Sequence, residues 1–181
     1  MNSGWKFAAA MHARFAWAPV ALAIAFACVL AHAREPAAAP GLDIGGERVT
    51  ATHLTLADIA KIVPRAEVHA SVHGAGAVWT GVSLIELLKS AGAPAGDALR
   101  GPALALYVRV TAADGYRAVF ALAELDSTIG NALAILADRK DGQPMDDEEG
   151  PLRLIVAADK RPARWVRRVV AVDLLSAPER N

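Results

Sequence analysis

Residues 79–88, with the sequence WTGVSLIELL, decide the fold class because they take the chain from an extended segment directly into a helix. Residues 83–86 (SLIE) have the pattern of a capping box, in which a serine and a glutamate three residues later satisfy free N–H groups at a helix start. Gly92 is suited to the left-handed residue that ends such a helix. The apolar stripe of this predicted amphipathic helix consists of Leu84, Leu87 and Leu88.

The segments on both sides of this helix predict more strands than helices. Asp114-Gly115 is a turn sequence typical of a β-hairpin, and residues 68–73 alternate between apolar and polar side chains as a half-buried strand does. Residues 55–58 (TLAD) come close to a second capping box, and residues 122–125 predict one short helical turn. The resulting fold class is α+β with a β-rich mixed sheet. Further strands are expected at 42–44, 77–80, 103–111, 116–120, 132–137, 152–157 and 165–175.

The first 33 residues have the layout of a secretory signal peptide. An apolar stretch at 15–30 follows a positively charged start, and Ala31-His32-Ala33 supplies small residues at the two positions that signal peptidase requires. Cleavage would leave a tether at 34–41, one domain at 42–176 and a tail at 177–181. The expected location is the periplasm. An uncleaved membrane anchor and a lipoprotein attached at Cys28 are the alternatives.

Composition after residue 33 excludes several classes of protein. The segment 34–181 holds 17 basic and 19 acidic residues, so its net charge is −2 and no global positive field is available for nucleic acid or an anionic membrane. Cys28 is the only cysteine, so the cleaved domain would form no disulfide and offer no thiolate. The sequence also lacks the glycine-rich phosphate loop, the dinucleotide fingerprint and the nucleophile-elbow motif.

The histidines give little support for a metal site. His69 and His73 lie on one face of the predicted strand, about 13 Å apart, which is too far for a shared ion without a bend. His53 has no sequence feature that brings it near them. We therefore predict no metal site among these residues.

Charged residues cluster in two places near the C-terminus. The run 146–149 (DDEE) is expected to be a solvated loop, because it lacks the spacing of a calcium-binding loop. Arg164 and Arg168 are expected on one face of the last strand, with Arg167 on the other. A solvated surface is one interpretation of this cluster. The other is an anion site, because guanidinium groups gathered at one end of a sheet can bind an oxyanion with two parallel hydrogen bonds. Other basic residues of this cluster are Arg153, Lys160 and Arg161.

Five segments in order along the chain resemble the oxidoreductase molybdopterin-binding domain of the sulfite oxidase type. They are residues 79–88, Ala113-Asp-Gly-Tyr116, residues 136–145 (LADRKDGQPM), residues 150–154 (GPLRL) and Arg164-Trp-Val-Arg167. The resemblance covers nearly the whole chain after the signal peptide. It implies the family's β-rich α+β fold, with molybdopterin as the candidate cofactor.

The chain departs from this family at one position that matters for chemistry. Catalytic members carry a cysteine just after the strand that precedes the helix, and its thiolate binds molybdenum. The resemblance places Gly74 at that position, and glycine cannot supply a sulfur ligand. Export as an unfolded chain also disfavours a cofactor that is inserted in the cytoplasm.

Three functions therefore stay open. The first is a non-catalytic module that binds an anionic small molecule or an envelope protein partner, with Arg153, Arg164, Arg167 and Tyr116 as ligand-binding residues. The second is a molybdopterin-dependent oxidoreductase or its subunit, with His73 and Tyr116 near its centre. The third is a structural envelope protein. Arg153 has its own alternative role, because an acidic residue of the run 146–149 could pair with it and tie down the loop.

Overall fold

The computed structural model describes residues 40–62, 64–72 and 74–178, all within one compact unit. The predicted signal peptide, most of the tether and His73 lie outside the described residues, so cleavage after Ala33 stays a prediction. Within the described ranges, no helix has the length and apolar character needed to cross a bilayer.

Ten strands and three short α-helices make up the regular structure of the described residues. The helices are α1 (Leu56–Lys61), α2 (Leu84–Ser90) and α3 (Leu122–Leu125). The strands are β1 (Gly41–Gly46), β2 (Thr52–Thr55), β3 (Ala66–Val72), β4 (Ala75–Ser83), β5 (Leu106–Ala112), β6 (Arg117–Ala121), β7 (Ala134–Lys140), β8 (Gln143–Pro144), β9 (Arg153–Val156) and β10 (Val169–Ser176).

The strands form two sheets, which confirms the predicted β-rich α+β class. The first sheet has the order β2-β1-β10-β5-β6, and β1 runs parallel to β10. The second has the order β3-β4-β7-β8, with β9 also paired to β7. All other strand pairs are antiparallel, and four of them, β1–β2, β3–β4, β5–β6 and β7–β8, are joined by short connections.

Apolar side chains from both sheets and from the helices form one core. Trp79 of β4 and Phe120 of β6 are among its largest buried members, and Leu42 near the start of the domain is buried in it as well. Leu87, from the predicted apolar stripe, is buried, and Trp165 is buried as well. The core thus fixes the first strand, α2 and the segment before the last strand to one another.

The two predicted helix starts have different outcomes. Thr55 and Asp58 form a complete capping box, as their spacing predicts. The capping box at Ser83 is wrong, since this side chain makes no capping hydrogen bond. Ser83 is the last residue of β4 and pairs with Ile135 of β7, so it belongs to the sheet ladder rather than to a free helix start. Gly92 has φ 104°, as expected at the helix end.

Two predicted strands begin later than expected. Gly101–Ala105 forms a 3₁₀ turn, with a proline in its first turn, so β5 starts at Leu106. Pro162–Arg164 forms another 3₁₀ turn, and Arg168 has φ 49°, so β10 starts only at Val169. The expected shared strand face of Arg164 and Arg168 is therefore wrong, because both residues precede the strand.

Candidate functional site

A cavity of about 370 Å³ lies between the β5–β6 turn and the segment that follows β9. This volume is at the small end of the range for small-molecule sites. Three residues that the sequence suggested as ligand-binding, Tyr116, Arg153 and Arg167, line the same cavity. The remaining lining residues are Ala112, Asp114, Glu149, Pro162, Ala163 and Trp165.

Tyr116 is positioned by the turn between β5 and β6. Gly115 has φ 86°, which only glycine adopts at low cost, and the Tyr116 backbone N–H donates to Asp114 Oδ1 at 2.9 Å. The Tyr116 hydroxyl donates to the carbonyl of Ala163 at 2.6 Å. This hydrogen bond links the hairpin to the 3₁₀ turn, so it fixes two walls of the cavity relative to each other.

Arg153 is the buried cation of the cavity, with a relative exposure of 4%. It is the first residue of β9, where pairing with Ala137 of β7 fixes its backbone. Its guanidinium carbon lies 5.0 Å from the centre of the Trp79 ring. The Nη1 atom donates to Glu149, whereas the buried Nε has no hydrogen-bond partner among the described residues. A buried donor without an acceptor is costly.

Glu149 supplies the negative charge beside Arg153. Its carboxylate contacts Arg153 Nη1 and also lies 3.5 Å from the ammonium group of Lys140. The acidic partner from the run 146–149, which the sequence left as an alternative, is therefore present. The pair ties the loop to β9, and it leaves Arg153 with part of its donor capacity free.

Arg167 lies at the exposed rim of the cavity. Its side chain is 55% exposed, and its Nη1 is 3.4 Å from Glu148 Oε1, a carboxylate that is 83% exposed. Exposed ion pairs of this kind contribute little to stability. The guanidinium of Arg167 can therefore exchange its carboxylate for another anion at small cost.

Arg164 occupies a different place and does not line the cavity. Its Nε and Nη2 donate to the two carboxylate oxygens of Asp159 at 2.9 and 2.6 Å, and its Nη1 donates to Glu124 at 3.0 Å. Its guanidinium carbon also lies 4.5 Å from the centre of the Phe120 ring. The hydrogen bonds to Asp159, assisted by those to Glu124, raise the pKa of Arg164 above its ordinary value. These contacts connect the 3₁₀ turn to α3.

Gly74 lies in the turn between β3 and β4 and does not line the cavity either. Its φ is 87°, and a side-chain carbon added to it would meet no atom within 4 Å. Space for a side chain exists there, but no sulfur donor occupies it. The donor set therefore does not fit a molybdenum ion ligated by protein sulfur, since Cys28 is the only cysteine of the chain.

Both histidines within the described residues, His53 and His69, pair with carboxylates. His53 Nδ1 lies 2.7 Å from Asp43 Oδ1, and His69 Nε2 lies 3.3 Å from Glu67 Oε1. In the part of the chain that the structure describes, no group of three or more His, Cys, Asp or Glu side chains could hold a metal ion. His73 falls outside that part, so its suggested role stays a prediction.

Sequence reasoning missed the aromatic support beneath Arg153. Trp79 and Trp165 meet edge to face, with ring centres 6.4 Å apart and an interplanar angle of 83°. Lys140 lies over the Trp79 ring as well, at 5.1 Å. Each tryptophan belongs to a segment that carries the family resemblance. Their membership in these segments was the signal in the sequence that could have marked them as part of the site. Their contact itself depends on long-range packing.

The fold and the cavity together define a β-rich domain with a pocket lined by two arginines, two acidic residues and Trp165, which packs against Trp79. The chain belongs to the family described as oxidoreductase molybdopterin binding domain, whose family model matches residues 32–181. It is therefore a molybdopterin-binding type of domain related to oxidoreductases, as the resemblance implied.

Among solved structures, the chain is similar to the sulfane dehydrogenase SoxCD from Paracoccus pantotrophus. The TM-score is 0.58 at 18% sequence identity, and the match covers 76% of this chain and 38% of that one. The likeness thus concerns the fold, over less than half of the longer protein. No curated protein matches the sequence.

Proposed function

We propose that this chain is an exported, periplasmic, non-catalytic member of its family that binds an anionic small molecule in the cavity lined by Tyr116, Arg153 and Arg167. The family description, a molybdopterin binding domain, supports a small-molecule ligand for this domain. An envelope protein partner is the other ligand that the sequence leaves open.

The observation that carries this proposal is the state of Arg153. A guanidinium group that is almost fully buried needs acceptors for its donors, and its Nε has none among the described residues. Glu149 neutralises the charge but contacts only Nη1. An oxyanion entering the cavity could accept from Arg153 and meet Arg167 at the rim. Two guanidinium groups lining one cavity are suited to this type of ligand.

A non-catalytic role is supported by the residue at position 74. The family resemblance places a metal-binding cysteine there, and this chain has Gly74 with open space around it. No residue of the described chain can therefore supply a thiolate ligand for molybdenum. Periplasmic export is supported by the apolar stretch and the Ala31-His-Ala33 site of the N-terminal segment.

Isothermal titration calorimetry with sodium sulfate and sodium phosphate tests the binding proposal on the purified protein. We expect the Kd of at least one anion to rise about tenfold in Arg167→Ala, a loss typical of one charge-assisted hydrogen bond. Arg100→Ala removes the same charge from an exposed residue outside the cavity and should leave the Kd unchanged. Equal effects of the two variants, or no binding by any protein, would overturn the proposal.

Family membership favours one competing function, a molybdopterin-dependent oxidoreductase or its subunit. Metal and pterin analysis of protein purified from its native host separates the two. We expect far less than one molybdenum atom per chain. A stoichiometric content of molybdenum and pterin would establish the competing function instead.

A further inference from the structure

The acidic turn, residues 146–149, places one carboxylate, that of Glu149, in the lining of the cavity. Asp146 Oδ1 accepts from the backbone N–H groups of Glu148 and Glu149 at 3.1 and 2.8 Å, and the carbonyl of Asp146 accepts from Gly150 at 2.8 Å. The carbonyl of Glu149 accepts from the N–H of Arg168 at 3.1 Å. The turn is thus closed on itself and fastened to the segment that carries the cavity's second arginine.

The two glutamates of the acidic turn contact the two arginines that line the cavity. Glu149 pairs with Arg153, and Glu148 pairs with Arg167. The contacts are unequal, since the carboxylate of Glu149 is 21% exposed and that of Glu148 is 83% exposed. Glu149 itself lines the cavity, whereas Glu148 does not. Of the two pairs, the one between Glu149 and Arg153 is therefore the one that affects an anion in the cavity.

An entering anion and the Glu149 carboxylate need the same partner. Arg153 carries one positive charge, and the donor that already meets Glu149 is part of the same planar group that a ligand would use. A negative charge placed next to Glu149 would also meet like-charge repulsion in a partly buried setting. An anion that approaches Arg153 is therefore bound more weakly while the carboxylate of Glu149 stays in place.

We propose that Glu149 is an internal anionic competitor that occupies the cavity's cationic site in the ligand-free protein and lowers its affinity for anions. This inference rests on the proposed function, because it concerns regulation of the same cavity. The ammonium group of Lys140 lies 3.5 Å from Glu149. It provides a second cation that pairs with the Glu149 carboxylate when Arg153 binds a ligand.

The test compares the wild-type protein with Glu149→Gln, Glu149→Asp and Glu148→Gln. Sodium sulfate and sodium phosphate are titrated by calorimetry at constant ionic strength, and melting temperatures are recorded with and without each anion. Glu149→Gln and Glu148→Gln remove the same charge from adjacent residues. The difference between their anion affinities therefore reports the effect of the contact between Glu149 and Arg153. Glu149→Asp keeps the charge and shortens its reach, which provides a second variant should the glutamine variant fold poorly.

We expect Glu149→Gln to bind an anion about tenfold more tightly than Glu148→Gln, and to gain more in melting temperature from the anion than the wild type does. Glu149→Asp should lie between Glu149→Gln and the wild type. If the wild type binds and neither Glu149 variant binds more tightly than Glu148→Gln, the competitor role is wrong while the proposed function stands. If no protein binds either anion, the proposed function fails and this inference fails with it.

Discussion

The guanidinium group of Arg153 lies over the ring of Trp79, with 5.0 Å between its central carbon and the ring centre. Trp79 is fully buried, and Trp165 meets it edge to face. The guanidinium group thus packs against an aromatic ring from which water is excluded. A cation in such a place interacts more strongly with the ring and with any anion than an exposed one does.

This arrangement makes Arg153 important for stability as well as for binding. We expect Arg153→Ala to lower the free energy of unfolding by about 3–5 kcal/mol, because it leaves a cavity over Trp79 and removes the partner of Glu149. Arg153→Met, which fills the space without the charge, should cost less. Urea unfolding followed by tryptophan fluorescence measures both changes. Equal costs for the two variants would show that packing over Trp79 contributes nothing.

A second prediction concerns the close approach of β4 and β7. A side-chain carbon added to Gly81 would lie 2.0 Å from the carbonyl oxygen of Leu136, at a register shift between the two strands. Backbone on both sides prevents relaxation, so Gly81→Ala should destabilise the protein by about 3 kcal/mol, the upper end of the usual cost of overpacking. Gly45→Ala is the matched control, since its nearest atom is Asp173 Oδ1 at 3.6 Å. Chemical denaturation midpoints that coincide for the two variants would contradict this.

Acid sensitivity is expected from Asp126, a buried carboxylate that sequence reasoning did not single out. Hydrogen bonds from the Thr128 hydroxyl, and then from the backbone N–H groups of Gly96 and Thr128, lower the pKa of Asp126 below its ordinary value. The unfolded chain therefore takes up the proton first as the pH falls below about 4. The stabilisation is fully present above that pH and is lost as the pH falls through the lower, folded pKa.

The corresponding measurement is thermal unfolding between pH 7 and pH 2. Asp126→Asn should lower the melting temperature at pH 7 and should show a shallower decline below pH 4 than the wild type. Asp147→Asn changes an exposed carboxylate in the acidic turn and serves as the control. A parallel decline in wild type and Asp126→Asn would mean that Asp126 makes no contribution to acid unfolding.

Local signals in the sequence predicted much of the fold. The Asp114-Gly115 turn, the Thr55–Asp58 capping box and the helix ended by Gly92 each depend on a few adjacent residues, and each is present. The parallel pairing of β1 with β10 was beyond such signals, because it joins the two ends of the domain.

The candidate site was predictable in part for the same reason. Tyr116, Arg153 and Arg167 came from segments that resemble the family, and the cavity brings these three together. The sequence could not decide between Glu149 and a ligand as the acceptor for Arg153. The conformation of the turn at 146–149 determines whether the Glu149 carboxylate reaches Arg153. It also could not show that Arg164 pairs with Asp159 and Glu124, because Glu124 lies 40 residues earlier in the chain.

The mature protein is expected to begin at Arg34. Ala31 and Ala33 are the small residues that the peptidase requires, and they directly follow the apolar stretch. N-terminal sequencing of periplasmic protein measures this. A lipid-modified start at Cys28 would instead place the domain on a membrane. Stability that changes with a thiol reductant would likewise indicate that Cys28 is retained.

The last prediction separates two arginines that lie three residues apart. Arg164 is 35% exposed and held by two carboxylates, whereas Arg167 is 55% exposed and has one distant partner. We expect Arg164→Ala to cost about 1–2 kcal/mol of stability, less than a fully buried pair would, because solvent screens part of its interaction. Arg167→Ala should cost no more than about 0.5 kcal/mol.

Anion binding should respond in the opposite order, because Arg167 lines the cavity and Arg164 does not. Sulfate and phosphate titrations of both variants, set beside their urea unfolding midpoints, give the two readouts on the same proteins. Arg164→Ala should unfold earlier and bind like the wild type, and Arg167→Ala should unfold normally and bind more weakly. A loss of binding in Arg164→Ala without a loss in Arg167→Ala would move the site away from the cavity and onto the surface around Asp159.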